Sequence, residues 1–194
     1  MSPSLACILV TVFATAGLLL GEARKSLPLR AACKPVASLG FLGTAIAYGA
    51  ADSTYGQAVL VALVLSLLGD VFLLSSAPRW FLGGLGAFLL GHVAFGAAFV
   101  LAGVDRSGVL VGAAAVLALL PFVARWLLPH VSGRMKGPVI AYMIVISAMV
   151  ALATGLYAAT SEWVFLVAAV AFFISDLAVA RERFVKKELS NELW

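Results

Sequence analysis

Seven long apolar runs, separated by short charged or turn-rich breaks, constrain this chain more than any other feature. They cover roughly residues 3–20, 31–50, 56–75, 79–102, 107–128, 137–157 and 161–181. A helix needs about 20 apolar residues to cross the hydrocarbon core of a bilayer, and the runs are close to that length. Because lipid cannot satisfy backbone hydrogen bonds, such segments are expected to be helical. The sequence therefore predicts an all-α, polytopic membrane helix bundle with seven transmembrane helices.

The amino-acid composition agrees with a membrane protein. Of the 194 residues, 63% are hydrophobic and 11% are charged, whereas a soluble globular chain is about half apolar. We therefore expect residues 1–194 to form a single integral membrane domain with a short polar cytoplasmic tail from about residue 182. Eight segments are also possible, because the glycine-rich stretch at residues 83–86 would permit a re-entrant break in the fourth run.

The distribution of positive charge predicts the orientation in the membrane. When each Lys and Arg is assigned to its nearest helix end, twelve lie on one side of the membrane and only Arg106 lies on the other. Cytoplasmic loops carry such an excess, and the charges alternate cleanly only with seven spans. We expect the N-terminus outside and the C-terminus in the cytoplasm, in a multi-pass protein of the bacterial inner membrane. This topology explains the net charge of +4, so nucleic acid is not an expected partner.

Two carboxylates interrupt the apolar runs near their expected cytoplasmic ends. Asp70 lies in the third run and Asp176 lies in the seventh. A charged side chain in hydrocarbon costs at least a few kcal/mol, so such residues indicate function more often than packing. The helices of the third and seventh runs are expected to cross the membrane in the same direction, which predicts one common depth for both aspartates. A pair of carboxyl groups in a low-dielectric site can divide into one acid and one base.

Further polar side chains are expected near these carboxylates, as substrate-binding or supporting residues. They comprise basic residues at helix ends, hydroxyl groups and one deeper histidine: Lys34, Ser66, His92, Tyr142, Ser175 and Arg183. Each also has a purely structural interpretation. The basic residues are consistent with the topology alone, and a buried serine, tyrosine or histidine is often a packing residue with a hydrogen bond.

The sequence offers less support for metal or serine chemistry. His92 and His130 form no His-x-x-x-His pair and cannot supply a three-histidine zinc site. The two aspartates with His92 make only a weak cation site, so no metal and no cofactor is expected. Ser66 and Ser175 lack the Gly-x-Ser-x-Gly context of a nucleophilic serine. The residues therefore favour acid and base chemistry by a pair of carboxyl groups.

Five short motifs occur in order between about residues 30 and 184. They are Lys34-Pro35, residues 66–73 (SLLGDVFL), residues 84–92 (GLGAFLLGH), Pro138 followed by Tyr142, and residues 173–178 (FISDLA). Together they resemble the successive signatures of the YhhN-type family of membrane lysoplasmalogenases. One departure from the family pattern is Phe95, which stands where an aromatic hydroxyl would be expected.

Members of that family hydrolyse the vinyl-ether bond of lysoplasmalogens to a fatty aldehyde and glycerophosphoethanolamine or glycerophosphocholine. The resemblance implies that Asp70 and Asp176 are the functional carboxylates, and that the partners are a lysophospholipid substrate and membrane lipids. Two carboxyl groups perform a comparable acid and base task in glycosidases. One alternative is a small proton-coupled transporter that uses the same aspartates as protonation sites. A non-catalytic membrane scaffold or lipid-binding protein is a third interpretation.

Overall fold

Seven long helices form most of the computed structural model, which describes residues 2–75 and 77–186. Two short 3₁₀ turns (Ala50–Asp52 and Leu128–His130) and one π-helical turn (Arg181–Val185) connect or extend them. No strand occurs in the described ranges, so the predicted all-α class is confirmed. The helices are α1 (Pro3–Ala23), α2 (Leu27–Ala47), α3 (Thr54–Leu73), α4 (Pro78–Ala102), α5 (Arg106–Leu127), α6 (Gly133–Thr160) and α7 (Trp163–Ala180).

Six of the seven helices in the described part of the chain are long and apolar enough to cross a membrane, which makes this an integral membrane protein. The exception is α2, which has 21 residues but carries two basic side chains in its first half. α2 nevertheless lies antiparallel to α1, because Cys7 contacts Gly43 near one end of the pair and Cys33 contacts Gly17 near the other. The orientation of the helices in the membrane stays a prediction.

The alternative of an eighth segment is wrong for this fold. α4 continues as one helix of 25 residues through the glycines at residues 83–86. These glycines allow close packing: a Cβ atom on Gly84 would lie 3.3 Å from the Gly69 carbonyl oxygen, and one on Gly91 would lie 3.4 Å from the Ala62 carbonyl oxygen. Small residues let membrane helices approach in this way, so the glycines bring α4 against α3 instead of breaking it.

The contacts within the chain divide it into two compact units, which we call unit 1 (Met1–Ala98) and unit 2 (Phe99–Trp194). Unit 1 holds α1, α2, α3 and most of α4, and unit 2 holds the end of α4 with α5, α6 and α7. In unit 1, an ion pair of 3.0 Å between Arg30 and Glu22 joins the facing ends of α1 and α2. The expectation of a single membrane domain over residues 1–194 stays a prediction.

Side-chain oxygens cap the first turns of three helices. Ser2 and Ser53 each accept a hydrogen bond from the backbone N–H three residues further on, at the starts of α1 and α3. Such a cap satisfies one of the N–H groups that a helix start leaves unpaired. At the start of α5, Asp105 accepts hydrogen bonds from the Ser107 hydroxyl and the Gly108 N–H, and both lower the pKa of its carboxyl below the usual range.

In unit 2, α6 is more buried than α5 or α7. α5 approaches it at a glycine: a Cβ atom on Gly112 would lie 2.7 Å from the Thr154 hydroxyl and 2.9 Å from the Ala151 Cα. Where the two helices meet at the other end, an apolar cluster fills the space, with Leu177 and Phe184 packed against it. The buried members of this cluster are Val123, Leu127, Val131, Val139 and Met143.

Candidate functional site

The carboxylate of Asp70, in unit 1, has two partners on α2. The ammonium of Lys34 lies 3.2 Å from Oδ1, and the hydroxyl of Ser38 donates a hydrogen bond of 2.8 Å to Oδ2. Because Lys34 and Ser38 are four residues apart, they lie on one face of α2, one turn from each other. Paired and hydrogen-bonded in this way, a carboxylate can be withdrawn from water at an acceptable cost. We call these three residues the Asp70 cluster.

The Asp70 cluster is only partly enclosed. The side chains of Lys34 and Asp70 are 27% and 24% exposed, so neither partner of the ion pair is fully buried. Asp70 lies three residues before the end of α3. Its neighbour Gly69 has no room for a side chain, because a Cβ atom there would lie 2.5 Å from the Phe88 ring. α4 therefore closes on α3 directly beside the carboxylate and fixes the backbone that carries it.

The carboxylate of Asp176, in unit 2, accepts a hydrogen bond of 2.6 Å from the Tyr142 hydroxyl to its Oδ2 atom. Tyr142 lies on α6 four residues after Pro138, and Asp176 lies on α7 four residues before the helix ends. Both side chains are partly buried. A short distance is expected where a hydroxyl donates to a carboxylate. We call these two residues the Asp176 pair.

Three other predicted site residues are Ser66, Ser175 and His92. The Ser66 hydroxyl donates to the carbonyl of Ala62 on its own helix, at 2.9 Å. Ser175 precedes Asp176, and successive side chains on an α-helix point about 100° apart. His92 is buried in α4, with 1% of its surface exposed. Their roles at a site stay predictions.

Arg183 lies in the π-helical turn Arg181–Val185 that follows α7. The α-helix itself ends at Ala180. The expected role of Arg183 as a substrate-binding or supporting residue stays a prediction. The expected polar tail from about residue 182 begins inside this turn, and residues 187–194 lie outside the described residues.

Sequence reasoning misses Ser38 and does not identify the partner of Lys34. It expects Lys34 near the carboxylates as a substrate-binding or supporting residue, and in the structure the ammonium pairs with Asp70. Ser38 could be found from its position, because it follows Lys34 by one helical turn and shares its face. The pairing of α2 with α3 at this point is a tertiary contact, and no single-helix pattern reveals it.

The arrangement provides groups that take up and release protons. In the described ranges, no group of three His, Cys, Asp or Glu side chains is placed to hold a metal ion. The Asp70 carboxyl contacts an ammonium and a hydroxyl, and the Asp176 carboxyl contacts a hydroxyl.

The comparison with protein families gives one match. The model of the YhhN family matches residues 29–194. The matched range begins in α2 and contains both the Asp70 cluster and the Asp176 pair. Neither a curated protein nor a solved structure matches the chain.

Proposed function

Because this chain belongs to the YhhN family, we propose that it is a membrane hydrolase that cleaves the vinyl-ether bond of lysoplasmalogens. The products are a fatty aldehyde and glycerophosphoethanolamine or glycerophosphocholine. The observation that carries the proposal is the Asp70 carboxylate, which is held by Lys34 and Ser38 close to the end of an apolar helix. A polar cluster of this kind in a membrane helix is costly unless it serves a function.

The reaction needs an acid, a base and one water molecule. The electrons of the double bond form a new bond between the β-carbon of the vinyl ether and a proton. The carbon that bears oxygen thereby becomes the centre of an oxocarbenium ion. Water adds to that carbon and loses a proton to the base, which gives a hemiacetal. The hemiacetal then collapses. Its hydroxyl group loses its proton to a base and becomes the aldehyde carbonyl, while the carbon–oxygen bond to glycerol breaks and the glycerol oxygen takes a proton from the acid.

The contacts of Asp70 favour one role. We assign water activation to Asp70, since the Lys34 ammonium 3.2 Å away balances the charge of its carboxylate. We assign protonation of the vinyl ether to the second carboxyl group, Asp176, which is held by the Tyr142 hydroxyl. An acid and a base with different surroundings divide the same work in glycosidases. The basic residues near the helix ends, including Arg183, are proposed to meet the lipid phosphate.

An ion pair between membrane helices also fits the alternative of a proton-coupled transporter, in which Asp70 would exchange protons with both sides of the membrane. Transporter sites are commonly built from helices that are broken near the bilayer midplane. α3 and α4 are both continuous around the Asp70 cluster. We therefore favour the hydrolase, with the bacterial inner membrane as its proposed location.

The test is the release of aldehyde from synthetic lysoplasmalogen by the purified protein. The matched control substrate is the saturated alkyl-ether lysolipid, which lacks only the double bond and cannot form the oxocarbenium ion by protonation. Intact plasmalogen and an ordinary lysophospholipid complete the set. In D₂O the aldehyde should carry one deuterium on the carbon next to the carbonyl. Cleavage of the saturated ether at a similar rate, or no aldehyde from lysoplasmalogen, would overturn the proposal.

A further inference from the structure

The hydroxyl of Ser38 has two acceptors within hydrogen-bond distance. It lies 2.8 Å from Oδ2 of Asp70 and 3.2 Å from the carbonyl oxygen of Lys34. A hydroxyl has one proton to donate, so it can serve only one acceptor fully at a time. The shorter distance leads to the carboxylate, as expected for a charge-assisted hydrogen bond.

The second acceptor does not depend on this hydroxyl. In a regular α-helix the carbonyl of Lys34 pairs with the backbone N–H of the residue four positions later, which is Ser38 itself. The hydroxyl is therefore not required to complete α2, and serine hydroxyls that bond back to their own helix contribute little to its stability. The contact with Asp70 is what this hydroxyl adds to the structure.

The geometry points to Ser38 as a positioning residue for Asp70, an inference that rests on the proposed function. Lys34 holds Oδ1 and Ser38 holds Oδ2, both from one face of α2, so the two contacts together fix the rotation of the carboxylate plane. A carboxylate held by the ammonium alone would be fixed at one oxygen only, and its plane could still rotate. Misplacement of a base by a small distance reduces the rate of proton transfer more than it reduces substrate binding.

When Asp70 accepts the proton of the attacking water, it loses the charge that favours the Ser38 hydrogen bond. The hydroxyl can then turn toward the Lys34 carbonyl, 3.2 Å away, and return when the proton leaves. Ser38 thus orients the carboxylate when it is charged and does not hold it once it is neutral. No bond to substrate is required of Ser38 for this role.

Ser38→Ala, Ser38→Thr and Thr44→Ala in the full chain test the inference. Thr44 is the matched control, because it lies on the same helix and its hydroxyl donates to the Gly40 carbonyl of that helix. With lysoplasmalogen, Ser38→Ala should lower kcat about tenfold, the effect of losing a hydrogen bond to a charged group. KM should stay within about twofold, because binding is not affected. Ser38→Thr should restore kcat, and Thr44→Ala should leave it unchanged.

A double variant separates positioning from folding. In the Asp70→Asn background, Ser38→Ala should cause no further loss of kcat, because residues that act as a unit are not additive. A full kcat in Ser38→Ala, an equal loss in Ser38→Thr, or a rise in KM alone would overturn the inference. An equal loss in Thr44→Ala would also overturn it, since the effect would then belong to the helix.

A readout without substrate distinguishes this inference from the proposed function. The sequence contains four aspartates, so infrared spectra of protein labelled with ¹³C at the aspartate carboxyl contain few bands, and Asp70→Asn assigns the Asp70 band. That band should shift in Ser38→Ala and stay in place in Thr44→Ala. If the Asp70 band shifts in Ser38→Ala but the wild-type protein releases no aldehyde, the contact between Ser38 and Asp70 is supported and the proposed function is rejected. Aldehyde release with neither a shift nor a change in kcat would reject the inference alone.

Discussion

The hydroxyl of Tyr142 lies 2.6 Å from Oδ2 of Asp176 and joins α6 to α7 close to the end of α7. The contact is flanked by apolar packing, since Met143 belongs to a buried cluster and Leu177 packs against it. A hydrogen bond to a carboxylate next to such a cluster is stronger than one in water. The Asp176 pair is therefore expected to matter both for the stability of unit 2 and for the chemistry assigned to Asp176.

We expect Tyr142→Phe to lower aldehyde release about tenfold, because the ring stays in place while one hydrogen bond to a charged group is lost. The same loss should reduce the free energy of unfolding by about 1–3 kcal/mol. Both are measured on purified protein, by kinetics and by denaturation in detergent. Tyr157→Phe on the same helix is the control, because the Tyr157 ring is 41% exposed. Equal rates in the two variants would contradict the role given to the Asp176 pair.

We expect Lys34→Met to destabilise unit 1, because it leaves the Asp70 carboxylate without its ion partner. Since both side chains are about a quarter exposed, the cost should be about 1–2 kcal/mol, below that of a fully buried pair. In Asp70→Asn the same Lys34→Met change should cost less, since no unpaired carboxylate remains. Thermal unfolding of the two single variants and the double variant measures the coupling. Additive effects would show that the 3.2 Å contact contributes no stability.

The helices can be predicted from the sequence because a long apolar run in a membrane has few alternatives to a helix. The glycines at residues 83–86 leave the span count open, since glycine is compatible both with a helix break and with close packing. Asp70 and Asp176 can be identified because a carboxylate in an apolar run is costly wherever the helices pack. Which groups pair with them depends on the rotation of α2 against α3 and of α6 against α7, so sequence reasoning misses Ser38 and does not identify Asp70 as the partner of Lys34.

We expect Gly69→Ala to reduce both stability and activity, because the new methyl group would lie 2.5 Å from the Phe88 ring. Overpacking of this kind typically costs about 1–3 kcal/mol, and the shift would move the adjacent Asp70. Gly86→Ala on α4 is the control, since nothing lies within 4 Å of the position that its methyl group would take. It should be neutral or stabilising by up to about 1 kcal/mol, as alanine favours helices. Two equally active and stable variants would contradict the close approach of α3 and α4.

We expect the cap of α5 to weaken in acid. The Ser107 hydroxyl and the Gly108 N–H lower the pKa of Asp105 in the folded protein. Its stabilising contribution is therefore complete above the unfolded pKa, about 3.9, and is lost as the pH falls through the lower folded value. The difference in melting temperature between the wild type and Asp105→Ala should be largest near neutral pH and should shrink on acidification. Asp105→Asn keeps an acceptor oxygen without a titrating group, so its difference from Asp105→Ala should stay constant.

We expect α2 to cross the membrane although it is the least apolar of the seven helices in the described part of the chain. It has the same 21 residues as α1 and lies antiparallel to it, and its ammonium at Lys34 is paired with Asp70. Such pairing lowers the cost of a charge inside the bilayer. Reporters fused after Lys25, after Asp52 and at Trp194 should then report cytoplasm, outside and cytoplasm in turn. If Lys25 and Asp52 report the same side, α2 does not span, and an outside reporter at Trp194 would reject the predicted orientation.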